Sequence, residues 1–251
     1  NFDPAQVRAL AQKYFGRYPR GRKEPPSVVT LELPQIAEKE MKAFCDCQPQ
    51  VEVRYHSVPF RHRDSYALDV LGGLMSGRTG RLTKSLVLDR KIATSAFAGH
   101  NAMKWAGEFS FGAEVKGDTA PEQLADAWRA ELKKLIDEPI PDEELQKVKN
   151  QITGNAFRRL VNPFGLLVQL LRYDALGDWT YINDWPDRTL AVTADDVKRV
   201  ARTYLTPENS TVGLYYRKAG GKPDDLPPEI AGLPDDAKPM VLNMYRQIKQ
   251  Q

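Results

Sequence analysis

The stretch from Asp64 to Leu88 places the tightest constraint on the fold. Tyr66, Ala67, Val70, Leu71 and Leu74 recur at helical spacing, so Asp64 opens a helix with one apolar face turned to a core. That helix runs into GGLMSGRTGRL, residues 72–82, where Gly77 to Gly80 break it, and a second short helix begins at Leu82. Gly72 to Thr79 differ from the phosphate-binding motif G-x-x-x-x-G-K-[ST] only at Arg78, which stands where the lysine belongs. The motif needs a buried strand before its glycines and a helix starting at the lysine. Here the residues before Gly72 have helix periodicity, so the glycines end a helix instead of beginning one. A guanidinium is also a planar fork, unlike the compact ammonium of the motif. The nucleotide reading fails on context.

Around this segment the pattern predicts helices and strands in turn. Asp3 caps a helix with Pro4 in its first turn, running to Phe15 and ended by Gly16, and a Pro-rich basic linker, RYPRGRKEPPS, follows. Strands are expected over 27–33, 39–46 and 50–58, the last two joined at Gln48-Pro49 as a hairpin. Alternating strands over 93–103 and 108–115 follow the glycine segment. Helical stretches are expected at 121–137, 141–160, 163–176 and 194–204, then a strand over 210–216, an extended arm and a closing helix over 238–249. This order predicts an α+β fold, an antiparallel sheet covered by helices on one side.

The residues carry no catalytic centre that spacing can reveal. His56, His62 and His100 form neither H-E-x-x-H nor H-x-x-E-H. Cys45 and Cys47 make one isolated C-x-C, too little for a zinc site, and a bond between strand residues two apart would be strained, so both read as reduced thiols. No G-x-S-x-G elbow is present. Glu131 and Lys134 read as an ion pair on a surface helix, and Trp105, Phe109 and Phe111 as core. The 36 basic and 33 acidic residues are well mixed, which argues against a nucleic-acid face. No apolar run is long enough to span a bilayer. The opening NFDPAQVRALAQKYFG lacks a signal peptide's basic leader and apolar stretch, and it has no initiator Met, so the chain reads as a processed product or a fragment.

Several segments taken together resemble the second, non-catalytic half of the pitrilysin/insulinase family of zinc metallopeptidases, whose fold is the LuxS/mitochondrial processing peptidase-like one. They are FDPAQVRALAQKYFGRYPRG; VEVRYHSVPFRHRDSYALDVLGGLMSGRTGRLTKSLVLDRKIATSAFAG; IPDEELQKVKNQITGNAF; and LTPENSTVGLYY. The resemblance divides the chain into residues 1–26, the last helix of a preceding domain plus a linker; 27–217, an inactive peptidase-family domain; and 218–251, a C-terminal arm and helix. It implies that Gly77, Arg78, Gly80 and Arg81 form a structural turn, the arginines tying down helix ends or loops.

In that family one domain carries H-x-x-E-H and zinc, and a facing domain often supplies an arginine and, seven positions later, a tyrosine that contact substrate. The matching segment here is LVLDRKIATSA, with Val87 at the arginine position and Thr94 at the tyrosine position. The resemblance therefore implies no catalytic residue and no cofactor in this chain, with zinc expected in an upstream or partner domain. The implied partners are an upstream zinc-binding domain of the same polypeptide, a homologous second subunit or half, and a peptide substrate, with oligomer formation. A non-enzymatic assembly or regulatory subunit of the same fold is the alternative. Location stays open between a periplasmic or otherwise exported protein and a cytoplasmic one.

Overall fold

Five strands form among the described residues, and in three of them alternation of apolar and polar residues leaves one apolar face that must be covered. The computed structural model describes residues 2–19, 21, 23 and 33–218, which divide into two units at Pro34/Gln35. The first unit carries α1, Pro4–Phe15, started by the Asp3 carboxylate accepting from the Ala5 N–H at 2.8 Å and followed by Gly16. Most of the strand expected over 27–33, and all of the helix expected over 238–249, lie outside the described residues.

In the second unit the order is β1 (Lys39–Cys45), β2 (Gln50–Ser57), α2 (Ser65–Met75), a π-helix (Thr83–Asp89), β3 (Ala93–Ala102), β4 (Gly107–Val115), α3 (Pro121–Asp137), α4 (Asp142–Val161), α5 (Pro163–Leu176), α6 (Tyr181–Leu190), α7 (Ala194–Tyr204) and β5 (Ser210–Arg217). The five-stranded sheet runs β1-β5-β2-β4-β3. The α+β class with helices on one face is as expected, but the sheet is not wholly antiparallel, and the pairing of its first two strands differs from expectation. β1 and β2 form no hairpin: β5 inserts between them, parallel to β1 and antiparallel to β2. Strands two places apart lie about 10 Å from each other, and the connection Asp46–Pro49 is long enough to step across that gap.

The same connection corrects the reading of the cysteines. Cys45 and Cys47 form a disulfide, with Cα atoms 5.2 Å apart. The strand stops at Cys45 and the chain bends at Asp46 and Cys47, so the strand geometry that would hold the two thiols apart ends one residue too early.

Val51, Val53 and Tyr55 of β2, Phe109, Phe111, Ala113 and Val115 of β4, and Val212 and Leu214 of β5 are buried, all on one face. α3 lies across β2, β4 and β5, and α2 lies on β3. Trp128 of α3 is the centre of this packing: its ring stacks on Phe111 at 4.8 Å, and its indole N–H donates to the Tyr55 hydroxyl at 2.8 Å. Burial pushes the Tyr55 phenol up to about 12, so it stays a neutral acceptor and donor. Phe109 and Phe111 are core as expected, whereas Trp105 sits exposed in the β3–β4 turn beneath the Lys104 ammonium. Glu131 is buried, not solvated: it accepts from the Ser85 hydroxyl at 2.7 Å and from Lys134 at 2.9 Å.

Local chemistry sets the helix starts. Pro121 opens α3. Asn162 caps α5 by accepting from the Phe164 and Gly165 N–H groups, and Thr193 and Asp196 cap α7 reciprocally. α6 has no counterpart in the sequence reading. Pro186 lies inside it, a residue that ordinarily breaks a helical pattern, yet Tyr181, Trp185 and Thr189 bury one side of it.

Candidate functional site

α2 is buried from Ser65 through Met75, apart from a few positions. It stops where Ser76 turns extended, its N–H closing on the Gly72 carbonyl and its hydroxyl accepting from the Ala98 N–H of β3 at 2.5 Å. Gly77 then takes φ +89°, a left-handed backbone that a side chain resists. Gly80 packs so tightly that a Cβ there would meet the Ser76 carbonyl oxygen at 2.2 Å. The chain re-enters a short helix at Thr83, whose hydroxyl donates to the Gly77 carbonyl at 2.8 Å.

Arg81 and Arg78 differ in what they touch. Arg81 reaches Glu144, in the acidic first turn of α4, through two hydrogen bonds of 3.0 and 2.7 Å. Those hydrogen bonds, ahead of any other cause, hold the Glu144 carboxyl below the usual carboxylate range and raise the guanidinium. Arg78 lines a cavity of about 620 Å³ with Gly77, Thr79, Gly80 and, from α4, Glu143 and Lys147. Val87 lies on the π-helix, half-buried against the core, and Thr94 is the second residue of β3, where its hydroxyl donates to Glu114 of β4 at 3.1 Å. Neither position offers a guanidinium or a phenol.

The three histidines do not converge. His62 sits in the turn before α2, accepting from the Asp64 N–H at Nδ1, while His56 lies on β2. His100 of β3 is paired with Asp69 of α2, Nδ1 to Oδ1 at 2.9 Å. Among the described residues, no group of three or more His, Cys, Asp and Glu side chains is placed to hold a metal ion. Nor, among them, is any helix long and apolar enough to cross a membrane.

Several polar contacts had no signal in the sequence because their partners are far apart along the chain. Asp64, at the start of α2, accepts from the Tyr204 hydroxyl at 2.7 Å and pairs with Arg199 at 2.8 Å, both from α7. Burial pushes its carboxyl up, but the hydrogen bonds and charge from α7 outweigh this, and it sits below its usual value. Lys149 is buried in α4 and donates to the Leu190 and Val192 carbonyls at 2.7 and 2.9 Å, satisfying the C-terminal end of α6 with a cation.

The description "Peptidase M16 inactive domain" is that of the family model matching residues 1–152. The zinc protease PqqE of Helicobacter pylori (strain ATCC 700392 / 26695) is 26% identical over 162 residues, which cover 64% of this chain and 36% of that protein. The crystal structure of a protease from Helicobacter pylori superposes with a TM-score of 0.80 at 24% identity, covering 86% of this chain and 53% of that one. An inactive peptidase domain from Bordetella parapertussis gives a TM-score of 0.62 at 26% identity, over 69% of this chain and 95% of that one. The chain thus spans about half the length of the first of these structures and about a third of the curated relative. With the family model covering more than half of its residues, this chain belongs to the peptidase M16 inactive-domain family.

Proposed function

We propose that this chain is the non-catalytic C-terminal half of a zinc metalloendopeptidase, packed on an upstream zinc-binding domain of the same polypeptide and forming part of the wall of a peptide chamber. The observation that carries this reading is the inactive-domain match over residues 1–152, taken with the relationship to a zinc protease. Val87 and Thr94 support it, since an aliphatic group and a short hydroxyl cannot steady the charge that develops on a peptide under attack. In this reading Gly77, Arg78, Gly80 and Arg81 are a structural turn: the glycines let the backbone reverse, and Arg81 fastens the turn to α4 through Glu144. β3 stands at one side of the sheet, and the main-chain groups on its outer side can hold an extended peptide as an added strand.

The test sets this chain beside its intact parent. Zinc content by mass spectrometry and cleavage of a quenched-fluorescent peptide are measured for both. The parent binds zinc and cleaves; the chain alone does neither. Chelator-sensitive cleavage by these 251 residues alone would overturn the reading.

A further inference from the structure

α5 contributes no buried residue to the core, although its sequence, PFGLLVQLLRYDAL, is mostly apolar. Between α5 and the far end of β3 lies a cavity of about 580 Å³, within the size range of sites that take small ligands. Its apolar wall includes Phe60, Phe164, Val168 and Trp185. Tyr173 and Tyr181 continue that wall, their rings meeting edge to face at 5.1 Å. Burial raises both phenols, so they are neutral hydroxyls.

The polar lining has a marked bias. The His100 side chain is 1% exposed, and its Nε2 is buried with no hydrogen-bond partner. The Gln169 side-chain nitrogen is in the same state. Both residues line the cavity. A buried polar atom left unpaired is costly and rare, so two around one cavity call for a ligand. In the tautomer whose Nδ1–H donates to Asp69, Nε2 is an acceptor. Gln169 Nε2 can only donate. Arg159 and Arg172 add two guanidinium groups at the same cavity, against the single carboxylate of Asp69, which is already engaged by His100. Arg172 also donates to the Asn101 side-chain oxygen at 3.4 Å, so the cavity presents a buried unpaired acceptor, a buried unpaired donor, an excess of positive charge and an aromatic wall.

A peptide's C-terminal residue is complementary to each of these: one N–H, a free carboxylate and a side chain. We propose that the cleft between α5 and β3 binds the C-terminal residue of a peptide. Its apolar or aromatic side chain lies against Phe60, Phe164 and Trp185. Its carboxylate accepts from Gln169, Arg159 and Arg172, and its N–H donates to His100 Nε2. This rests on the reading of the chain as a chamber wall and names the end of the peptide that the wall holds.

Titration of this chain with N-acetyl-Ala-Ala-Phe, followed by calorimetry and by tryptophan fluorescence, tests it. The free acid binds, and the C-terminal amide binds at least about tenfold more weakly, the scale of a lost charge-assisted hydrogen bond. Gln169→Leu weakens the acid by about tenfold, and Gln169→Glu by more, since a like charge then faces the ligand. His100→Gln is a second variant, for which circular dichroism verifies folding. Equal affinity for acid and amide, or no binding of either, overturns the proposal. 3-Phenylpropionate binding as tightly as the tripeptide overturns it too, because a simple aromatic acid would then be the occupant. No arm of this titration reads proteolysis or zinc. A parent that cleaves while the cleft stays empty therefore sinks this inference alone.

Discussion

The pairing of Arg81 with Glu144 can be tested to a number. The Arg81 side chain is 18% exposed and that of Glu144 is 30% exposed, so the pair is neither a surface contact nor a fully buried one. Its two hydrogen bonds are charge-assisted and bidentate. A surface pair contributes up to about 1 kcal/mol, and hydrogen bonds to charged groups contribute roughly 1.5–3 kcal/mol. At this intermediate burial a coupling of about 1.5 kcal/mol is expected. Stability to urea is measured for the parent chain, Arg81→Met, Glu144→Gln and the double variant. Each single change costs about 1.5–2 kcal/mol and lowers Tm by roughly 3–8 °C for a chain of this size. The double change costs less than their sum by the coupling. The pH dependence has a fixed sign. The folded Glu144 carboxyl is depressed, chiefly by the hydrogen bonds from Arg81. Its contribution is thus complete above the unfolded value of about 4.3 and fades as pH falls through the lower folded value. The stability gap between the parent chain and Arg81→Met must shrink between about pH 6 and pH 3. A coupling inside about 0.3 kcal/mol, the scatter of independent sites, would refute the reasoning, as would a gap that does not change with pH.

Three further outcomes are expected. Gly77→Ala destabilises by about 1–2 kcal/mol because of its left-handed backbone. Gly80→Ala costs clearly more, since its Cβ would press on fixed carbonyls of Ser76 and Met75; equal losses in urea titrations would show the glycines to be interchangeable. Asp64→Asn costs about 2 kcal/mol at neutral pH, less than a fully buried pair because Arg199 can return to water. The folded Asp64 carboxyl lies below its usual value, so the loss fades below about pH 4, and a denaturation series in acid checks it. Replacing Cys45 and Cys47 together with serine costs only about 1.5 kcal/mol, as expected for so short a loop, and intact-mass measurement before and after reduction reports the bond as a gain of two hydrogens.

Much of the fold was legible because its signals are local. Pro121, the Asn162-Pro163 pair and the Thr193/Asp196 box each mark a helix start within a few residues, and α3, α5 and α7 begin where these signals place them. What failed depended on distant partners or on one residue of geometry. Nothing near residues 39–57 indicates that a strand beginning at Ser210 will part β1 from β2. Pro186 spoke against α6, whose buried aromatics answer to neighbours elsewhere in the chain. The cysteines were misjudged because the strand ends at Cys45 and not at Asp46. In the glycine segment the turn could be read from Gly77 and Gly80. The Glu144 partner of Arg81 could not, because it lies 63 residues away. The Asp69–His100 pair is equally silent in the sequence, since it needs α2 already laid on β3.

The position of β5 between β1 and β2 has a consequence for synthesis on the ribosome. While the chain emerges, β2 can pair with β4 and β4 with β3, but the slot beside β2 stays vacant and β1 has no neighbour to dock on. Bare strand edges invite pairing with other chains, and long-range pairing comes late. A nascent chain stalled before Ser210 would leave that adhesive slot open, and only translation through Arg217 zips both seams shut.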